Sequence, residues 1–329
     1  MTMHPVGVEA HAVVAATADL IPDGIHFGLS EDAYHGDPAL GSTGLKDLID
    51  NAPDFWWSSW MNPARPEANE TDAIKFGRAV HKCVLEGQDA FLAVYAPCDH
   101  PGNIKAGKEE REAIEAAGKL PLKRDEYNRI LAASAFIRAN SFLGDAFNGG
   151  QPEVSVFWTE DGIRFKARFD YLKMRAIADL KSIRNPLNKS FVQACRDRIA
   201  GLDYVVSAAH YMDARRRMAA FVKAGQVHNA PDSEQFRSWL IQAAGITEFA
   251  FVFVFWQAEG APISHGFKIS PGNPILESAK ATIAKAVWNY RRFMDEFGTT
   301  AAWVPSTPLE ELDETTLPVW WQVKQNTGR

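Results

Sequence analysis

The sequence predicts a mixed α/β fold, a central mixed β-sheet flanked by helices. Three observations carry this. Along the chain the patterns run helices, a hairpin-led group of strands, helices again, then two more strands, an order that one sheet covered by helices accommodates. The run FAFVFVFW over 249–256 is apolar throughout, as a strand buried on both faces requires. Asp161-Gly162 separates two runs of β-branched and aromatic residues and is a strong tight-turn signal for a hairpin.

Residues 1–25 read as a flexible N-terminal arm, 26–322 as one domain and 323–329 as a tail. The first helix is expected from Ser42, a good N-cap, with Leu45, Leu48 and Ile49 on one face. Phe55, Trp56, Trp57 and Trp60 follow as an aromatic cluster, read as core with a base-stacking platform as the alternative. The polar, proline-containing stretch 62–72 marks a loop before a second helix, roughly Ala73 to Tyr95, whose buried face carries Phe76, Val80, Cys83 and Val84. Residues 97–124 turn basic and poor in large apolar side chains, which predicts a mobile loop or helical arm. A helix over 125–141 comes next, then strands over 154–158, 163–172 and 176–180. Helical patterns return over 188–200, 203–224 and 232–244, strands over 249–256 and 263–269, and a long amphipathic helix over 274–297. An irregular tail with Trp303, Trp320 and Trp321 ends the chain.

Composition limits the function classes. The 329 residues carry 35 Lys+Arg against 41 Asp+Glu, and a net charge of −6 gives no invitation to nucleic acid. No apolar run approaches the roughly 20 residues that span a bilayer, and the N-terminus lacks the basic and apolar regions of a signal peptide. Three scattered cysteines, Cys83, Cys98 and Cys195, suit a reducing cytoplasm and cannot supply four thiolates to an iron–sulfur cluster.

The chemistry lies between Glu153 and Lys181. Asp179 and Lys181 stand two apart in an expected strand, so both leave the same face about 6.6 Å apart along it. Asp170 ends the preceding strand, where an antiparallel neighbour brings its carboxylate to the same point. Paired carboxylates at a strand edge make an oxygen-rich site for Mg²⁺, and an adjacent lysine can stabilise an oxyanion or orient the attacking water. An acid-x-Lys pair taken alone is common by chance and equally describes a surface ion pair.

The order Glu153, Asp170, Asp179-Leu180-Lys181 resembles the core of the PD-(D/E)xK nucleases, in the form found in RecB-like and RecE-like (exonuclease VIII type) phage exonucleases. EDAYHGDPALGSTGLKDLIDNAPDFWW (31–57), KFGRAVHKCVLEG (75–87) and FVFVFWQAEGAPISHGFKIS (251–270) are similar to stretches of the RecE-like branch. The resemblance implies metal ligands at His81, Asp170, Asp179 and the Leu180 carbonyl, a catalytic lysine at Lys181, and an acidic residue, Glu153, acting through water. Gly77, one turn before His81, leaves room above the imidazole. Relatives carry Gln-x-x-x-Tyr on the helix after the lysine; here Ser207 replaces the glutamine and Tyr211 is retained, with His210 as the residue able to compensate. Arg168 reads either as an ion-pair partner or as a ligand of the scissile phosphate, and Arg215-Arg216-Arg217 as a solvated helix end or a phosphate contact.

The implied activity is that of a Mg²⁺-dependent exodeoxyribonuclease, with Mn²⁺ as an alternative ion, degrading double-stranded DNA ends 5′→3′ in phage-type recombination. A single-strand annealing protein is the implied partner, a homo-oligomeric ring the implied assembly, and no membrane is involved. The rivals are a RecB-like single-strand or structure-selective nuclease, and a catalytically weakened DNA-binding scaffold, the latter motivated by Ser207.

Overall fold

A computed structural model describes residues 20–66, 71–313 and 315–327, so 1–19 of the expected arm, 67–70 of the expected loop and 328–329 of the tail lie outside the described residues. The chain enters the sheet inside the segment expected to be an arm, through β1 (Gly24–His26), too short to show a period. Gly24 is needed there because a Cβ would lie 2.6 Å from the Gln226 carbonyl. After α1 (Glu31–Gly36), α2 (Ser42–Asp50) buries Leu45 and Leu48, but its N-cap is Gly41 rather than Ser42. The freed Ser42 hydroxyl lies 3.4 Å from the Tyr211 hydroxyl. In α3 (Ala52–Ser58) Trp56 joins the core, while Trp57 and the following Trp60 are about half exposed.

The single helix expected to Tyr95 is two, α4 (Asp72–Leu85) and α5 (Gln88–Val94), separated at Gly87 with φ 99°, a conformation that a helix cannot contain. The basic stretch that follows, expected as a mobile loop or a helical arm, is a helix between two short strands. It forms β2 (Tyr95–Cys98), α6 (Lys105–Ala116) and β3 (Leu120–Lys123), with β2 and β3 paired in parallel. Glu110 on α6 accepts the backbone N–H groups of Asp99 and His100, and Arg124 forks onto Asp99, which ties the crossover down. The helix α7 (Arg124–Ala139) follows.

The predicted hairpin is β4 (Gln151–Glu160) and β5 (Ile163–Lys173), with Asp161 and Gly162 at φ 48° and 79°, as a primed two-residue turn demands. Then come β6 (Ala176–Ile183), α8 (Phe191–Gly201), α9 (Tyr204–Ala224), β7 (Val227–His228), α10 (Glu234–Gly245), β8 (Ala250–Gln257), β9 (Ser264–Ile269), α11 (Pro274–Phe297) and α12 (Val319–Thr327). The seven-stranded sheet has the order β7-β1-β4-β5-β6-β8-β9, with β1–β7 and β6–β8 parallel and the remaining pairs antiparallel. The mixed sheet flanked by helices is as the sequence predicts.

Strand β8 is buried on both sides because two cores meet on it. Phe251, Phe253 and Phe255 face α9 and its neighbours, while Val254 and Trp256 face α4 and α7. Trp303 in the expected irregular tail is also core, stacked on Phe293 with its Nε1 donating to the Gly298 carbonyl. The run Arg215–Arg217 lies inside α9, not at its end. Arg215 is buried over Phe249 and donates to the Met174 carbonyl, and Arg217 pairs with Asp213 and Glu160. Of the three, only Arg216 is exposed. The three cysteines are buried and unpaired, and among the described residues no helix is long and apolar enough to cross a membrane.

Trp303→Ala is expected to cost about 3–5 kcal/mol of stability, the range for emptying a buried aromatic site. Urea unfolding checks this, and a loss below about 1 kcal/mol would mean that the segment after α11 does not hold the core together.

Candidate active site

The site arises where two neighbouring strands part. The β5–β6 ladder runs Lys173↔Ala176, Leu172↔Ile177, Tyr171↔Ala178 and then stops, so Asp170 and Asp179, next in register, do not pair. On its other side β6 stays bonded to β8 along its whole length. The parting leaves main-chain groups of β6 without a strand partner, and the Asp170 carboxylate takes one of them: the Leu180 N–H donates to Asp170 Oδ2 at 2.7 Å. In an extended strand the N–H and C=O of one residue leave the same edge. The Leu180 carbonyl therefore opens into the same fork.

The β4–β5 ladder skips the same position. Glu153, opposite Asp170 in register, has φ 51°, a left-handed backbone costing about 1–3 kcal/mol for a residue with a side chain. His81 comes from α4 on the facing layer, its Nδ1 3.6 Å from Glu153 Oε1. Gly77, one turn earlier, has open space where a Cβ would stand. His81, Glu153 and Asp170 each offer a ligand atom, all within 4.8 Å of one another.

Asp179 and Lys181 lie beside this trio. Asp179 is buried, and its Oδ2 is 2.6 Å from Lys181 Nζ. The carboxylate expected as a third ligand is thus beside the lysine, and Glu153, expected to act through water, lies with His81 and Asp170. Burial raises the Asp179 carboxyl above its usual range against the pull of Lys181. Burial also opposes the charge on Lys181, but Asp179 and then Asp170 outweigh it and hold the ammonium firmly protonated. For His81 burial is again the largest influence, and the Asp170 and Glu153 carboxylates overcome it to raise the imidazole. A cavity of about 220 Å³ adjoins these groups, walled by Tyr204 and Trp256.

Two carboxylates, one imidazole and an adjacent main-chain carbonyl form a mainly oxygen donor set, which fits Mg²⁺ or Mn²⁺. The crowding of acids explains the fit: without a cation the two carboxylates repel each other at the fork.

Other expected site residues fall differently. Arg168 is engaged by the protein, donating to Ser155 Oγ at 2.9 Å and to the Leu29 and Ser30 carbonyls, with its guanidinium over the Tyr34 ring and 3.9 Å from Glu153. Of its two expected roles the structure shows the ion pair, with its Nε and Nη2 donors taken up by the protein. Tyr211 points to the site, its hydroxyl pushed up to about 12 by burial and then by Asp179. Ser207 is buried one turn earlier on α9. His210 does not stand in for the missing glutamine. It faces the core against Trp158, with Nε2 donating to the Lys166 carbonyl at 2.9 Å, and burial pulls it down to about 4. Tyr204, which sequence reasoning missed, places its ring 5.4 Å from Lys181 Nζ. Its only signal was the seven-residue spacing to Tyr211, two turns along one helix face.

A mixed sheet that splits beside Asp170 and Asp179-Leu180-Lys181 is the arrangement of a PD-(D/E)xK-type nuclease core. The chain belongs to the family described as the PDDEXK-like domain of unknown function (DUF3799), which matches residues 58–225, just over half its length and the span from α3 to the end of α9. Similar solved structures include one described as "Putative exonuclease" from Eubacterium rectale, 14% identical with TM-score 0.49, covering 80% of this chain and 87% of that one. Another is a phage related exonuclease from Haemophilus somnus 129PT, 11% identical with TM-score 0.30, covering 78% and 96%. No curated protein matches.

Two outcomes are expected. Saturating Mn²⁺, at about 100 times its Kd, should stabilise the wild type by about 2.7 kcal/mol, read as a rise in melting temperature. Asp170→Asn and His81→Ala should each remove most of that rise; an undiminished rise in both would place the ion elsewhere. His210, with a pKa of about 4 when folded against 6.5 for a free imidazole, takes its proton more readily in the unfolded chain. Its contribution is therefore intact above pH 6.5 and is lost as the pH falls toward 4, roughly 2 kcal/mol of it between pH 7 and 5. Urea unfolding of His210→Gln at both pH values should show a smaller drop than the wild type.

Proposed function

We propose that this chain is a divalent-metal-dependent exodeoxyribonuclease of the RecE-like type, hydrolysing phosphodiester bonds from the ends of double-stranded DNA. The observation that carries this reading is the fork, where His81, Glu153 and Asp170 cluster beside the ion-paired Asp179 and Lys181. The choice of the RecE-like branch rests on the three similar stretches at 31–57, 75–87 and 251–270. Through the same resemblance it includes 5′→3′ polarity, a role in phage-type recombination in the cytoplasm, an annealing protein as partner and a ring of copies.

His81, Glu153, Asp170 and the Leu180 carbonyl are the groups that would hold the cation, with Asp179 adjoining. A divalent ion there supplies charge neutralisation at the phosphate and lowers the pKa of the attacking water. Lys181 is kept as an ammonium by Asp179 and Asp170. It therefore donates: it orients the water or stabilises the growing charge on phosphate oxygen, and it does not take the proton. Tyr211, protonated throughout the physiological range, is a second donor at the same face of the fork.

End-labelled linear duplex incubated with Mg²⁺ or Mn²⁺ tests the reading. The wild type should digest it, EDTA should stop digestion, and Asp179→Ala and Lys181→Ala should each slow it by at least about 100-fold, the scale on which removing transition-state charge stabilisation acts. Equal digestion by both variants would refute the site. Digestion of single strands or covalently closed circles in preference to linear duplex would favour the RecB-like alternative, and binding without digestion the scaffold.

A further inference from the structure

A second lysine belongs to this site. Lys46, on α2, places its Nζ 5.6 Å from the centre of the Tyr204 ring, the same ring that Lys181 Nζ approaches to 5.4 Å. Two ammonium groups thus share one aromatic side chain at the edge of the fork. Lys181 has Asp179 as its counter-ion. Among the described residues no carboxylate lies within ion-pair distance of Lys46 Nζ, whose one hydrogen bond goes to the Leu202 carbonyl at 3.3 Å. An ammonium has three donors, so two are left for a ligand.

The packing of α2 on α9 aims this group. Ser42 and Lys46 are four apart and share a face of α2, as Tyr204 and Tyr211 share a face of α9. The seam between them holds the Ser42–Tyr211 hydroxyl contact at one end and the Lys46–Tyr204 contact at the other. Burial and then the like charge of Lys181 both disfavour the Lys46 ammonium, with Asp47, Asp203 and Asp179 acting the other way from further off. A half-buried cation beside another cation, with spare donors and no paired anion, is a site that an anion completes.

We propose that Lys46 is a substrate-phosphate ligand, gripping the DNA backbone phosphate next to the scissile one while Lys181 serves the scissile phosphate itself. This rests on the nuclease reading for its substrate. It divides the labour: Lys46 acts in binding and Lys181 in the chemical step.

The test uses the full chain with Lys46→Gln and Lys46→Arg. On linear duplex with Mg²⁺, Lys46→Gln should raise KM by about tenfold with kcat within about twofold, and Lys46→Arg should recover most of the loss. In fluorescence anisotropy with a blunt duplex of about 20 base pairs in Ca²⁺, Lys46→Gln should lower the slope of log affinity against log salt by about one, the signature of one lost phosphate contact. An unchanged KM and salt slope would overturn the proposal. So would a fall in kcat and melting temperature that arginine does not rescue, which would make Lys46 only the cap of the Leu202 carbonyl. A wild type that binds the duplex without cutting it, with the slope still reduced in Lys46→Gln, would sink the nuclease reading and leave the Lys46 contact standing.

Discussion

The hydrogen bond from the Leu180 main chain to the Asp170 carboxylate is the contact on which the rest of the site depends. A sheet that splits in its interior exposes backbone donors and acceptors that would otherwise cost as much as lost hydrogen bonds. Here the split lies between β5 and β6, and a carboxylate closes the edge it opens. Because β6 is bonded to β8 for its full length, the edge cannot simply drift apart. The same bond fixes two things at once: where Asp170 points, and which way the Leu180 carbonyl faces. A neutral side chain able to bond the same N–H would keep the sheet and lose the charge.

Charge at the fork is balanced locally. Asp179 is almost wholly buried, and a buried carboxylate is tolerated only with a partner, which Lys181 provides. Glu153 and Asp170 have His81 between them as a weak partner. The cluster therefore holds more negative than positive charge, and a divalent cation relieves it. This alters the meaning of the net charge of −6. The acids of the fork account for part of it, and under the proposed function a cation held there, with cations at its rim such as Lys46, would supply the attraction that net charge does not. The basic stretch 97–124 is partly neutralised by acids within it and beside it, with Lys105 beside Glu109, Lys123 beside Asp72 and Glu126, and Arg124 on Asp99.

What the sequence made legible follows from how local the cause is. Asp161-Gly162, the β8 run and the whole of α11 could be read because turn chemistry, two-sided burial and a 3.6-residue period are short-range signals. The Asp179-x-Lys181 pair could be placed on one strand face for the same reason. Strands of two or three residues, β1 and β7, carry no period and were not visible, while α6 buries almost nothing, so its stretch could be read only as a loop or a helical arm. Arg215 read as solvated because its partners, Met174 and Phe249, are distant in sequence and are brought to it only by the fold. Arg168 could be narrowed to two roles but not decided, since Ser155, Leu29 and Tyr34 are brought to it only by the fold. His210 lies one residue from Tyr211, a step that turns a side chain by about 100° on a helix, and the fold seats it in the core against Trp158 rather than at the site. His81, Glu153 and Asp170 could each be singled out in the sequence, but not that they form a trio, since the positive φ at Glu153 is a property of the fold.

The two hydrophobic cores explain how such a site can be held firmly. His81 is carried by α4, rooted in the core of α4, α5 and α7, while Tyr204 and Tyr211 are carried by α9, rooted in the other. Asp179 and Lys181 ride on β6, which contributes Ala178 and Leu180 to the first core and Ile177 and Ile183 to the second. Every group at the fork is thus within one or two residues of a side chain locked by close packing, which transmits position but not flexibility. The strained backbone at Glu153 fits the same logic. A left-handed residue persists only where its surroundings over-determine it, and here its flanks are fixed, with Val154 wholly buried and Pro152 paired to Tyr171. The stability stored in the two cores is what keeps a crowded acidic fork assembled against its own repulsion.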